Sequence, residues 1–326
     1  MKNVCIFLML LLLSACYKEI DLEDYRTSPK VVLNCAISTD TIIMASVSRT
    51  WFFTDNSSDV VISDAKVELF VNDAFRESMV WQEGDTPNGV YVSNIIPVEG
   101  DRIKIVATTN YGKVSAEDEI PVKVMIRNVE ISARHFGSGT HIIVDKDGNI
   151  IEKGDNLEIK YQISFDDKHN TNDFYFLRIE NCDKLQSLGT LDYASDPIFL
   201  ADESAINTSL GGQTLPGQGG RTFTDKSING QSYTLTVTES GSSYLYDYGT
   251  VLNRKISLYS LSKSYYQYLT SILKTNEDNA MQKLSDFGLA EPIRIFSNIQ
   301  GGTGIIGASQ NDSKTIDLRK ILPDHM

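Results

Sequence analysis

Cysteine is scarce, with four residues in 326, at positions 5, 16, 35 and 182. No two of them make a Cys-x-x-Cys pair, which excludes a zinc ribbon or a thioredoxin-like redox motif. Histidine is equally sparse, and neither a His-Glu-x-x-His helix nor a Gly-x-Ser-x-Gly elbow occurs, so the common metallohydrolase and serine-hydrolase signatures are missing. Long apolar runs are also lacking. The one clear run, Val4–Leu13, would be a helix of about 15 Å against a bilayer core of about 30 Å, too short to span it. Positive charge is in deficit, with 30 Lys and Arg against 43 Asp and Glu and a net charge of −13. An acidic chain without a basic patch repels nucleic acid and anionic headgroups.

What is present begins at the N-terminus. Lys2, the run Val4–Leu13 and the small residues before Cys16 form the three parts of a secretory signal. The spelling Leu13-Ser14-Ala15-Cys16 resembles the bacterial lipobox. That resemblance implies cleavage after Ala15 and lipid attachment at Cys16. Several acyl chains at about 0.8 kcal/mol per buried methylene make a stable anchor. Loss of residues 1–15 removes one charge, Lys2, and leaves 29 basic against 43 acidic residues. The short acidic stretch Tyr17–Asp24 resembles the export signal of surface lipoproteins in the Bacteroidota, which implies an outer-membrane protein facing the cell exterior.

Beyond Pro29 the pattern is that of strands. Val31, Leu33, Cys35 and Ile37 alternate with other residues, as do Val67, Leu69 and Val71, and Ile103, Ile105 and Ala107. A period of two marks strands with one buried face. Asn72-Asp73, Glu99-Gly100-Asp101 and Asn110-Tyr111-Gly112 punctuate the runs. About seven short strands in 30–122 predict a sandwich. Alternation resumes from Val122, most cleanly at Leu157, Ile159, Tyr161, Ile163 and Phe165. The expected fold is all-β: two successive immunoglobulin- or fibronectin-like sandwiches. The expected organisation is a signal peptide over 1–15, a tether over 16–29, one sandwich over 30–122 and a β-rich unit over 123–326. Trp51 and Trp81 are expected in the first core.

Two features interrupt the second unit. The polar stretch 183–230, with Gly211-Gly212 and Gly219-Gly220, reads as a long loop or insertion, a type of segment that often carries function. Ser262 can cap a helix over about 262–275, in which Tyr265, Tyr268, Leu269, Ile272 and Leu273 share one stripe. Adjacent Tyr265 and Tyr266 cannot both face inward, so they are candidate ligand-binding residues, because aromatic rings supply contact area at low entropic cost.

Other candidates are weaker. His135 and His141 lie six apart in a glycine-rich segment expected to be a loop, and no third metal ligand is marked. Asp145-Lys-Asp147-Gly148-Asn149 echoes a calcium loop but lacks glycine at the sixth position and glutamate at the twelfth. Asp147-Gly148 fits a hairpin turn between Ile142–Val144 and Ile150–Glu152. Gly302-x-Gly304-x-x-Gly307 has the lettering of a dinucleotide fingerprint without its βαβ context. Cys35 and Cys182 are open to one disulfide or to two buried thiols, with two thiols preferred. No metal or cofactor is expected.

The C-terminal lettering, Glu291-Pro292, Ser297-Asn298-Ile299, Gly301-Gly302 and Gly304…Gly307-Ala308, resembles the closing signature of a Bacteroidota outer-membrane lipoprotein family whose domain carries only an unknown-function label. Val61-x-x-Asp64-Ala65-x-Val67-x-Leu69, Ile120-Pro121 and Leu258-x-x-Leu261-Ser262 leading to Tyr265-Tyr266-x-Tyr268 agree. Where that family typically reads Gly-Ile-Phe-Gly, this chain has Gly304-Ile305-Ile306-Gly307. Members often accompany TonB-dependent outer-membrane transporters. The resemblance therefore implies a non-catalytic accessory or binding component of nutrient uptake, with such a transporter as partner and an unidentified small-molecule, glycan or peptide ligand. A structural or adhesive surface lipoprotein is the alternative.

Overall fold

The computed structural model describes residues 22–52, 55, 60–83, 89–144, 150–182, 189–200, 220–242, 253–274 and 294–320, with backbone alone at 22–23, 135–144, 150–156, 242, 273–274 and 320. Cys16 and its neighbours, the tip 145–149, the stretch 201–219 and His325 lie outside them.

The fold is all-β, with one α-helix among the described residues, and an eight-stranded sheet faces two four-stranded ones. The N-terminal strands are β1 (Val31–Ile37), β2 (Met44–Arg49), β3 (Lys66–Val71), β4 (Ala74–Ser78), β5 (Val80–Gln82), β6 (Val90–Val92), β7 (Arg102–Thr109) and β8 (Gly112–Glu119). Then come β9 (Ile126–Val144), β10 (Ile150–Asp166), β11 (Phe174–Asn181), β12 (Thr190–Asp192), β13 (Gly220–Thr224), β14 (Ser232–Ser242) and β15 (Asn253–Leu261). Helix α1 (Lys263–Lys274), strand β16 (Thr303–Asp317) and a 3-10 turn (Leu318–Lys320) close the described chain. One four-stranded sheet runs β4-β3-β7-β8, a second runs β12-β14-β10-β9, and an eight-stranded sheet, β13-β11-β15-β16-β1-β2-β6-β5, faces both.

The larger sheet is continuous because β16 serves both halves. Its first residues pair in parallel with β1, from Val32 with Thr303 to Ile37 with Ala308. Its later residues pair antiparallel with β15, from Leu261 with Ser309 to Asn253 with Asp317. Ile306 and Ala308 accordingly sit in the N-terminal core with Leu33, Leu69 and Ile105, while Ile316 packs on the C-terminal core of Ile159, Tyr161, Leu177 and Phe223. The sequence reading expects successive sandwiches, and the observed pair shares this strand. Periodicity cannot reveal it, because parallel pairing between the first and last strands is not written in either one.

Glycine makes the close approach possible. Gly304 has φ +112°, a conformation L side chains rarely adopt, and a Cβ there would lie 2.2 Å from the Leu33 carbonyl oxygen. The Gly302-x-Gly304-x-x-Gly307 lettering thus lies in or beside β16, where it serves strand packing.

Several expectations need correction. Trp51 is 52% exposed and outside the core, whereas Trp81 is half-buried against Tyr91 with ring centroids 5.2 Å apart. Residues 135–141 are strand and not loop, since β9 pairs with β10 through His135 with Leu157 and His141 with Gly154. The two segments flanking the expected turn do pair, Val144 with Ile150 and Ile143 with Glu152, with a register shift between them, and Asp147-Gly148 itself lies outside the described residues. The stretch 183–230 is not one long loop: β12 and β13 are sheet members, and Ile198, Phe199 and Phe223 are core residues. Both later cysteines are free thiols, Cys35 buried as expected and Cys182 exposed. Burial pushes the Cys35 thiol up to about 12, so it stays protonated and unreactive.

The C-terminal core also holds a charge pair. Glu239 and Arg254 are 0% and 3% exposed, and Arg254 donates to both carboxylate oxygens at 2.9 and 3.2 Å. The Tyr161 hydroxyl and the Gly189 amide also donate to Glu239. Apolar residues 157–163 alternate with polar ones, but the polar atom of Tyr161 is the one that meets Glu239.

Candidate functional site

A cleft of about 660 Å³ opens where the two sandwiches meet. Five segments wall it: Gly100 before β7, the end of β8 with Asp118 to Ile120, the β10–β11 loop at 171–173, the β13 end with Asp225 and Lys226, and the entry to α1 at Ser262-Lys263. Clefts of this size at junctions between layers are where small ligands usually bind. Its surface is mixed, with Ile120, Phe174 and Leu261 beside carboxylates and two lysines.

Asp118 ties the cleft together. Its carboxylate accepts hydrogen bonds from the Ser262 hydroxyl and from the Ala308 amide, the latter at 3.0 Å. Ser262 also caps α1: its Oγ accepts from the Tyr265 amide at 3.2 Å, and its own amide donates to the Ala308 carbonyl at 2.9 Å. One carboxylate therefore joins β8, the helix cap and β16. Burial pushes the Asp118 carboxyl up to about 6, and the two donors partly offset that.

A second carboxylate group lies at the other wall. Ligand oxygens of Asp167, Asp173 and Asp225 are within 4.8 Å of one another. Asp167 accepts from the Tyr175 hydroxyl at 2.5 Å and the Gly230 amide at 2.8 Å. Asp225 accepts from Asn229 Nδ2 at 3.2 Å, and Asp173 from the Thr171 hydroxyl at 2.5 Å. Burial raises both Asp167 and Asp225. Three crowded carboxylates relieve their repulsion by keeping a proton or by meeting a hard, oxygen-seeking cation, and the donor set is not that of zinc. Sequence reading misses these acids because they come from separate segments of an acidic chain and carry no spacing signal.

The predicted tyrosines have a different place. Tyr266 is buried, its ring 4.8 Å from that of Phe174, which lines the cleft. Tyr265 lies over Gly307, where a Cβ would be 2.7 Å from its ring. It also lines a smaller cavity of about 170 Å³ with Arg178, Tyr259 and Leu269. Helix α1 thus presents its stripe of Tyr265, Tyr266, Tyr268, Leu269 and Ile272 to the sheet with Phe174, Phe176, Tyr259 and Leu261. Ser262 caps the helix as the sequence predicts. Of the expected ligand pair, Tyr266 supports the wall of the main cleft from behind and Tyr265 faces the smaller cavity. The side chains of His135 and His141 lie outside the described residues, and His169 packs beside Gly230.

Fold and site together define an all-β protein with two sandwich cores, one shared strand and a cleft at their junction. The chain belongs to the family described as Domain of unknown function (DUF4249), whose model matches residues 18–315. No curated protein matches the sequence.

Proposed function

We propose that this chain is a lipid-anchored outer-membrane protein facing the cell exterior, and that it acts as a non-catalytic binding accessory of a TonB-dependent nutrient transporter. The lipobox at Leu13–Cys16 and the acidic tether support the location. The resemblance of the closing signature to a Bacteroidota lipoprotein family supports the transporter partnership. The observation that carries a binding role is the cleft of about 660 Å³ walled by both sandwiches, which has the volume of a small-ligand site. Mild-detergent extraction of the tagged protein from its native membrane tests this reading. A stoichiometric outer-membrane transporter in the eluate is the expected result. Recovery of the chain without any transporter overturns the partnership.

A second reading, a structural or adhesive surface protein, draws on one feature. Strand β9 spans nineteen residues and is the outer strand of its sheet. Long edges are templates for strand addition by another chain. Recovery of the protein with its own copies, in place of a transporter, favours this reading.

A further inference from the structure

The pole of the N-terminal sandwich from which the tether leaves is ringed by exposed aromatic residues. At this pole β1 begins, β2 ends and β16 begins, as the pairs Val31 with Arg49 and Val32 with Thr303 fix. The β7–β8 turn reaches the same end, because the Arg49 guanidinium lies 5.7 Å from the Tyr111 ring centroid. Thr50 is held to Lys30 by two hydrogen bonds of 2.9 Å, which sets Trp51 beside the departing tether. The Arg26 guanidinium lies 4.9 Å over Phe52 and pairs with Asp55 at 2.7 Å. Tyr25, Trp51 and Tyr111 are 69%, 52% and 49% exposed. A folded protein has little reason to leave three large aromatic rings in water at one end, and such rings favour the lipid headgroup layer, where an apolar body and a polar edge are both satisfied.

Chain length ties this pole to a membrane. The described residues start at Leu22, six positions after Cys16. At about 3.5 Å per residue, that segment reaches no more than about 21 Å. We propose that Tyr25, Trp51 and Tyr111 rest in the headgroup layer of the bilayer that holds the acylated Cys16. This inference rests on the lipoprotein reading above. Cations at the pole, Arg26, Lys30, Arg49 and Lys113, outnumber Asp24, Asp55 and Asp64 by only one, and Arg26 is already paired with Asp55, so the contact is aromatic and interfacial and needs no anionic lipid. Since β16 leads away from this pole into the other core, the docking points the C-terminal sandwich and the cleft outward.

The chain has two tryptophans, Trp51 and Trp81, so one substitution isolates the probe. The full mature acylated protein is reconstituted in phosphatidylcholine vesicles with or without shallow brominated acyl chains. Brominated lipid is expected to quench wild-type emission by roughly a third to a half, and to leave Trp51→Phe unquenched. That quenching is expected to persist from about 0.05 to 0.5 M salt. Equal wild-type emission in both vesicles, or equal quenching of wild type and Trp51→Phe, overturns the docking. Intact mass separates the two ideas. Acylated protein with unquenched Trp51 defeats the docking alone, whereas a chain without acyl mass defeats the anchor and the docking with it.

Discussion

The Ser262 hydroxyl donates a hydrogen bond to the Asp118 carboxylate, although the two residues stand 144 positions apart. Ser262 caps helix α1 and Asp118 is the penultimate residue of β8, so this contact fastens one sandwich to the other at the mouth of the cleft. The Ala308 amide, on the shared strand, donates to the same carboxylate.

A pH dependence follows. Burial raises Asp118 from 3.8 to about 6 in the folded protein. The folded state therefore binds a proton more tightly than the unfolded chain, and this group favours folding most below about pH 4. Its contribution is lost as pH rises through 6, on the order of 3 kcal/mol. Urea unfolding at a series of pH values should show that decline in wild type and a flatter curve in Asp118→Asn. An identical slope in both proteins would assign the pH dependence to other groups.

The shared strand makes the two cores interdependent. Gly304→Ala forces an unfavourable φ and a contact with the Leu33 carbonyl, and Gly307→Ala drives a Cβ into the Tyr265 ring. Each should cost about 1–3 kcal/mol. Gly304→Ala should lower the unfolding midpoint reported from either core. A midpoint shift confined to the N-terminal core would show that β16 does not couple them.

The Glu239–Arg254 pair is a liability unless both partners remain. Glu239→Ala leaves Arg254 charged and buried, with an expected loss of about 3–5 kcal/mol. The double substitution Glu239→Leu with Arg254→Met should recover much of that loss. Thermal unfolding of the single and double variants decides it, and a double variant no more stable than Glu239→Ala would contradict the account.

At the carboxylate trio the repulsion predicts the opposite sign. Asp225→Asn keeps an acceptor for Asn229 and removes a charge whose ionisation burial already opposes. The variant should match or exceed wild-type stability at pH 8, with a smaller advantage at pH 5, in metal-free buffer. Clear destabilisation at pH 8 would mean that the Asp225 charge is held by a favourable partner.

The parts of this fold visible in the sequence are those governed by local pattern. Leu157 to Phe165 alternate because one face of β10 is core, and Ser262 precedes an apolar stripe because it caps α1. Parallel pairing of Val32–Ile37 with Thr303–Ala308 was hidden, since the two strands are separated by most of the chain. Trp51 misled because size suggests burial while position decides it. The cleft was not legible, because Asp118, Asp173, Asp225 and Ser262 meet only after both sandwiches form. Helix periodicity shows the tyrosine-rich stripe of α1 but cannot say what covers it, and the sheet under α1 covers it.

The lipid anchor underlies the location, the partnership and the docking, and the mass of the mature protein extracted from its native membrane tests it directly. The expected chain begins at Cys16 and carries added acyl mass, and Cys16→Ala abolishes that mass and the membrane attachment. A mature chain that starts elsewhere, or that begins at Cys16 without acyl groups, would contradict it.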